Sequence, residues 1–148
     1  MAKTYLPPYA QNQNIGKVTL TTADTSLTAP TTAGAVLFTA GTNGSKLDGI
    51  KVRALGTNVT TVLRIFVNDG LGTAATNFSL VDEVALAATT ANTSSPSQTS
   101  DIKLLPTNYD NAGSGEIPPY LATGQKIYVS LGTTVAAGYA ITCFGCDF

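Results

Sequence analysis

Histidine and tryptophan are absent from the 148 residues, charged side chains make up only 11% of them, and cysteine occurs at two positions. Without histidine there is no Ser-His-Asp or Cys-His activation of a nucleophile, and the commonest metal-ligating side chain is missing. Catalysis would fall to carboxylates. Their one adjacent pair, Asp82-Glu83, lies on a strand pattern that sends neighbours to opposite faces, so the two cannot converge on one substrate. The expectation is a protein that is not an enzyme and carries no cofactor.

The cations Lys3, Lys17, Lys46, Lys51, Arg53, Arg64, Lys103 and Lys126 form no run, and the net charge is -1. That leaves no basic footprint for nucleic acid. No stretch approaches the roughly 18 consecutive apolar residues of a membrane helix, and residues 1–8 lack the apolar centre of a secretory leader. Synthesis in a cytoplasm, without export and without a membrane, is therefore expected. Cys143 and Cys146 are too few and too close to build a disulfide framework. Their C-x-x-C spacing lacks the two further ligands of a zinc knuckle and the helix of a thioredoxin-like site, so a buried thiol at Cys143 and a free one at Cys146 are expected.

What is present is threonine and short apolar runs, in a chain that is 43% hydrophobic. Threonine favours strands and makes a polar surface that carries no charge to desolvate. Residues 1–14 have no period of 2 or 3.6. With Tyr5, Leu6, Pro7, Pro8 and Tyr9 they read as an extended N-terminal arm able to reach roughly 45 Å and suited to contact a neighbouring subunit. Residues 15–148 read as one domain.

Within it, turn residues separate runs of period-2 alternation. Strands are expected at 17–22, 35–40, 45–55, 59–67, 78–87, 101–105, 126–131 and 139–144, the last two as a closing antiparallel pair. Ile50, Val52 and Ala54 alternate with Lys51 and Arg53, and Asn68-Asp69-Gly70 is a strong turn signal. No segment keeps helical periodicity. The fold class expected is all-β, an antiparallel jelly-roll-like β-sandwich of about eight strands, with an immunoglobulin-like sandwich as the other topology.

Other motifs dissolve on inspection. Gly41-Thr42-Asn43-Gly44-Ser45-Lys46 lacks phosphate-loop spacing and leads into a strand, so it reads as a tight turn. The Asn-x-Ser/Thr tripeptides at Asn43, Asn58, Asn77 and Asn92 are those a threonine-rich chain produces by chance. Asn68, Asp69 and Asp82 offer oxygens for calcium but no EF-hand or repeat pattern.

The run Gly44-Ser45-Lys46-Leu47-Asp48-Gly49-Ile50-Lys51-Val52-Arg53-Ala54-Leu55-Gly56-Thr57, continuing through Leu63-Arg64-Ile65-Phe66-Val67-Asn68-Asp69-Gly70, resembles small structural proteins of tailed bacteriophages. The ending resembles them too, in Ala122-Thr123-Gly124-Gln125-Lys126-Ile127-Tyr128-Val129-Ser130 and Phe144-Gly145-Cys146-Asp147-Phe148. The resemblance implies a virion component assembled in the host bacterial cytoplasm. Its preferred version is a capsid decoration or cement protein that binds the major capsid protein lattice as a homo-oligomer, with a trimer favoured and the arm at Tyr5–Tyr9 in the contact. The alternatives are a tail, baseplate or fibre-associated protein, and a carbohydrate-binding module with a loop site at Asn68, Asp69, Asn108, Tyr109 and Asp110.

Overall fold

A computed structural model of the chain describes residues 12–90, 94, 99–102 and 120–148. Among them are nine strands and a single turn of 3-10 helix at Ala75–Asn77. The strands are β1 (Asn12–Leu20), β2 (Ala35–Thr39), β3 (Ser45–Ala54), β4 (Thr61–Asn68), β5 (Phe78–Leu86), β6 (Thr99–Ile102), β7 (Tyr120–Leu121), β8 (Lys126–Leu131) and β9 (Tyr139–Asp147).

Two antiparallel sheets result. The first has the order β1-β9-β3-β6, with β7 also paired to β3, and the second has the order β2-β8-β4-β5. β6 lies opposite Ile50–Arg53 and β7 opposite Ser45–Lys46, so the two short strands share one edge of the first sheet. Counted as one interrupted strand, they make an eight-strand jelly roll, a long hairpin rolled so that first pairs with last and the innermost two with each other. The all-β jelly-roll-like sandwich expected from the sequence is the fold observed.

Alternation decides what each sheet buries. β3 sends Leu47, Ile50, Val52 and Ala54 inward, β4 adds Leu63 and Ile65, β8 adds Ile127, Val129 and Leu131, and β9 adds Tyr139, Ile141 and Cys143. Each fully buried aliphatic side chain contributes about 1.5–3 kcal/mol relative to exposure, and these residues form a continuous layer between the sheets. Bulges adjust the pattern. Leu37 is the extra residue where β2 meets β8, which lets the neighbours Leu37 and Phe38 both be buried. Val81 is skipped where β5 meets β4, which bends an otherwise straight edge strand.

β1 and β2 close one side of the sandwich so tightly that a Cβ at Gly16 would land on the Leu37 carbonyl oxygen. Only glycine permits that approach. The turn after β2 closes through Gly44 N–H donating to the Gly41 carbonyl at 3.0 Å, and Gly44 has φ +89°, a left-handed conformation costly for other residues. Gly41–Lys46 is therefore a turn leading into a strand, as its sequence indicates.

Two expectations are corrected. β8 and β9 are not a pair: β8 lies between β2 and β4, β9 between β1 and β3, and residues 132–138 cross from one sheet to the other. Alternation in both strands signals a buried face but carries no information about the partner. The expected strand at 17–22 begins earlier, at Asn12, which pairs with Asp147. The last three residues assigned to the arm are thus sheet, and Tyr5, Leu6, Pro7, Pro8 and Tyr9 lie outside the described residues.

Candidate functional site

Three buried polar side chains hold the loops in place, and none was singled out from the sequence as an anchor. Asp24 is 3% exposed. Its Oδ1 accepts from the Ser26 amide at 3.1 Å, and its Oδ2 from the amides of Thr32, Ala33 and Gly34 at 3.0, 2.9 and 3.3 Å. Burial pushes its carboxyl up, but the amides of Ala33, Ser26, Thr32 and Gly34 together outweigh that and leave it below the usual aspartate value. The loop between β1 and β2 is folded around this one carboxylate.

Asn58, also 3% exposed, does the same between the sheets. Its Oδ1 accepts from the amides of Ala137 and Gly138, both at 2.9 Å, and its Nδ2 donates to the Gly138 carbonyl at 2.9 Å. A side chain so enclosed is no glycosylation acceptor. Asn68 fixes the loop before β5, with Nδ2 donating to the Gly72 carbonyl at 2.8 Å and Oδ1 accepting from the Gly70 amide at 2.9 Å.

Asn68, Asp69 and Asp82, the candidate calcium oxygens, each accept a hydrogen bond from a nearby backbone amide. Asn68 is spent on its loop, Asp69 accepts from the Leu71 amide at 2.9 Å, and Asp82 accepts from the Glu83 amide at 2.8 Å. Among the described residues no three His, Cys, Asp or Glu side chains cluster as metal ligands. Asn108, Tyr109 and Asp110 lie outside the described residues. Glu83 turns away from Asp82 and pairs with Arg64, Nε to Oε1 at 2.9 Å.

The two cysteines lie three positions apart on β9 and so face opposite ways. Cys143 is inside the sandwich, where burial pushes its thiol up to about 12, with the Asp48 carboxylate adding to the shift. Cys146 is half-buried on the outward side, opposite Gln13 and Lys46. A thiol reagent at neutral pH should accordingly label one cysteine per native chain rapidly and the second only on unfolding, read by mass spectrometry of the labelled peptides.

That outward side of the first sheet is the most distinctive surface. Ile15 and Phe144 are directly opposite each other across β1 and β9 and are 47% and 39% exposed. Phe144, Cys146 and Phe148 follow at every second position, and Phe148 stacks on Tyr120 with ring centroids 5.9 Å apart. Tyr120 is 61% exposed. The other end of the same face is basic: Lys17 is opposite Thr142, Lys51 is opposite Thr142 on the other side, and Arg53 is opposite Ala140.

The aromatic end is built rigidly. The Asp147 carboxylate, on the last residue of β9, accepts from Ser45 Oγ and from Asn14 Nδ2, the latter at 2.9 and 3.1 Å, while Ser45 Oγ accepts from the Gly41 amide at 2.9 Å. Burial raises the Asp147 carboxyl and these donors more than offset it, leaving it lowered. Beyond it, Phe148 N–H donates to the Gly44 carbonyl at 3.2 Å and the Asn43 amide donates to the Phe148 carbonyl at 3.0 Å. Residues 147–148 are thus tied to β1, β3 and the turn after β2. No described helix is long and apolar enough to cross a membrane.

No protein-family model matches the chain and no curated protein matches it. Among solved structures it is similar to a chain of the capsid asymmetric unit of cyanophage Pam1, with 14% identity, a TM-score of 0.40, and coverage of 100% of this chain and 95% of that one. It is also similar to a chain of the T13 particle of infectious bursal disease virus, at 12% identity and TM-score 0.30 over 97% of this chain and 35% of that one. The Gx strain of that virus gives 10% identity and TM-score 0.30 over 97% and 36%. The chain spans about a third of the length of the bursal disease virus chains. Likenesses this distant assign it neither a function nor a partner.

Proposed function

We propose that this chain is a structural virion protein, and specifically a capsid decoration protein that binds the major capsid protein lattice as a homo-oligomer. Its work is done by surface and needs no chemistry. Two features support the reading: the likeness of residues 44–57, 63–70, 122–130 and 144–148 to small structural proteins of tailed phages, and a jelly roll, an architecture common in viral capsids and shared with lectins and cupins. Fold alone does not select among those roles.

The observation that carries the proposal is the outward face of the first sheet. An exposed apolar cluster joined to a basic end, on a scaffold whose loops and last strand are pinned by carboxylates and amides, is suited to assembly contacts without rearrangement. Repeated by symmetry over a particle, modest contacts of this kind add through avidity.

The double variant Ile15→Asp, Phe144→Asp places two charges on that cluster. It should lose particle occupancy, measured by gel densitometry of purified particles, at the cost of a modest fall in thermal midpoint because the two like charges stand directly opposite across β1 and β9, with retention of the fold checked by circular dichroism. Undiminished occupancy would count against this face as the assembly surface.

A further inference from the structure

The apolar cluster sits at one end of its sheet, the end where β1 begins. Asn12 pairs there with Asp147, Ile15 is opposite Phe144, and β7 brings Tyr120 alongside Lys46 and onto Phe148. The chain that enters the sheet at Asn12 carries Tyr5, Leu6, Pro7, Pro8 and Tyr9, and holds no charge between Lys3 and Lys17. An apolar segment of matching chemistry is therefore attached next to an apolar seat. Prolines and tyrosines set against exposed aromatic rings form a recurrent mode of extended-peptide docking.

We propose that this seat, formed by Ile15, Phe144, Tyr120 and Phe148, takes residues Tyr5–Tyr9 of a second copy of the chain. The inference rests on the reading that the protein acts by assembly. Distance and direction favour a second copy over the chain's own segment. β1 is extended up to Asn12, the last pair with Asp147, and the seven residues before it could reach at most roughly 23 Å at about 3.3 Å each, far enough for a neighbouring copy.

Returning to its own seat would require a reversal at Ala10-Gln11, directly before a paired strand residue. Tight reversals between strands use Gly, Asn or Asp at positive φ, and residues 1–11 contain none of the three. Handing a segment from each copy to the next is a head-to-tail contact, which closes into a ring when the rotation allows; three copies would make the trimer favoured from the sequence.

Cys146 provides a built-in reporter, because it lies on the outward face between Phe144 and Phe148 while Cys143 is buried. Leu6→Cys and Tyr9→Cys, made separately in the full chain, are oxidised mildly with glutathione disulfide in the absence of particles and run on non-reducing gels. The expected result is covalent dimers and higher species in at least one variant, abolished by adding Cys146→Ser and mapped to residue 146 by mass spectrometry.

In the otherwise unaltered chain, alkylation of Cys146 should be several-fold faster when Tyr5, Leu6 and Tyr9 are all replaced by serine. A bond to Cys146 within one chain, the absence of any such bond in both variants, or equal alkylation rates would overturn the proposal. Failure of the two readings is separable. Copies that crosslink through Cys146 yet never bind particles contradict the virion role alone, whereas particle binding without that bond contradicts the seating alone.

Discussion

Replacing Asp24 with alanine should destabilise the protein by about 3 kcal/mol, enough to lower the thermal midpoint by roughly 10 °C. The carboxylate is the common acceptor for four backbone amides, and its removal takes that partner from all four at once. Leaving buried donors unpaired costs more than the net value of the bonds that satisfied them. The loop also positions the Asp24 carbonyl, which accepts from Arg64 Nη1 at 3.2 Å, so its collapse should loosen the Arg64–Glu83 pair on the second sheet as well. Asp24→Asn, which keeps one acceptor oxygen, should fall between the parent and the alanine variant by circular dichroism melting.

The same group gives the protein a defined acid sensitivity. The native Asp24 and Asp147 carboxyls both titrate below their ordinary value, so each contributes stability that is complete above about pH 4 and is lost as pH falls through the lower native value. Asp24→Asn should flatten the decline of the thermal midpoint with acid.

Phe38→Ala should cost about 3–5 kcal/mol, read as a fall in the urea midpoint at unchanged m-value. Phe38 is 2% exposed and its ring lies where a Cβ on Gly145 would approach it at 3.2 Å, so the first sheet has glycine where the second projects phenylalanine. Leu37 beside it is buried as well, through the bulge in the register with β8. Phe38→Leu, which keeps most of the volume, should cost about 1 kcal/mol.

These two positions differ in how far the sequence announces them. Phe38 belongs to a run, Val36-Leu37-Phe38, that reads at once as core, although period 2 alone would have buried only one of the adjacent pair. The bulge that buries both has no sequence signature. Asp24 lies in Thr22-Ala23-Asp24-Thr25, a polar stretch indistinguishable from any surface loop; its only mark is the amide-rich, small-residue segment at 32–34 that folds back onto it.

The strands themselves were legible because alternation is local, and the sheet order was not, because pairing joins residues far apart. Tyr139–Asp147 shows both sides of this: its alternation was visible to Phe144, its partners were not. The outward cluster was hidden for the same reason. Ile15 and Phe144 become neighbours only through the β1–β9 register, and Tyr120 and Phe148 only through the edge pairing of β7 and the tie of Phe148 to Gly44.

The most direct test of the structural role is electron microscopy of the particle that carries the protein, with the chain traced and its neighbours assigned. The account predicts symmetric density for the sandwich on the capsid lattice, with Ile15, Phe144 and Tyr120 buried against protein. Purified particles lacking the chain, or density in which that face points into solvent, would contradict it.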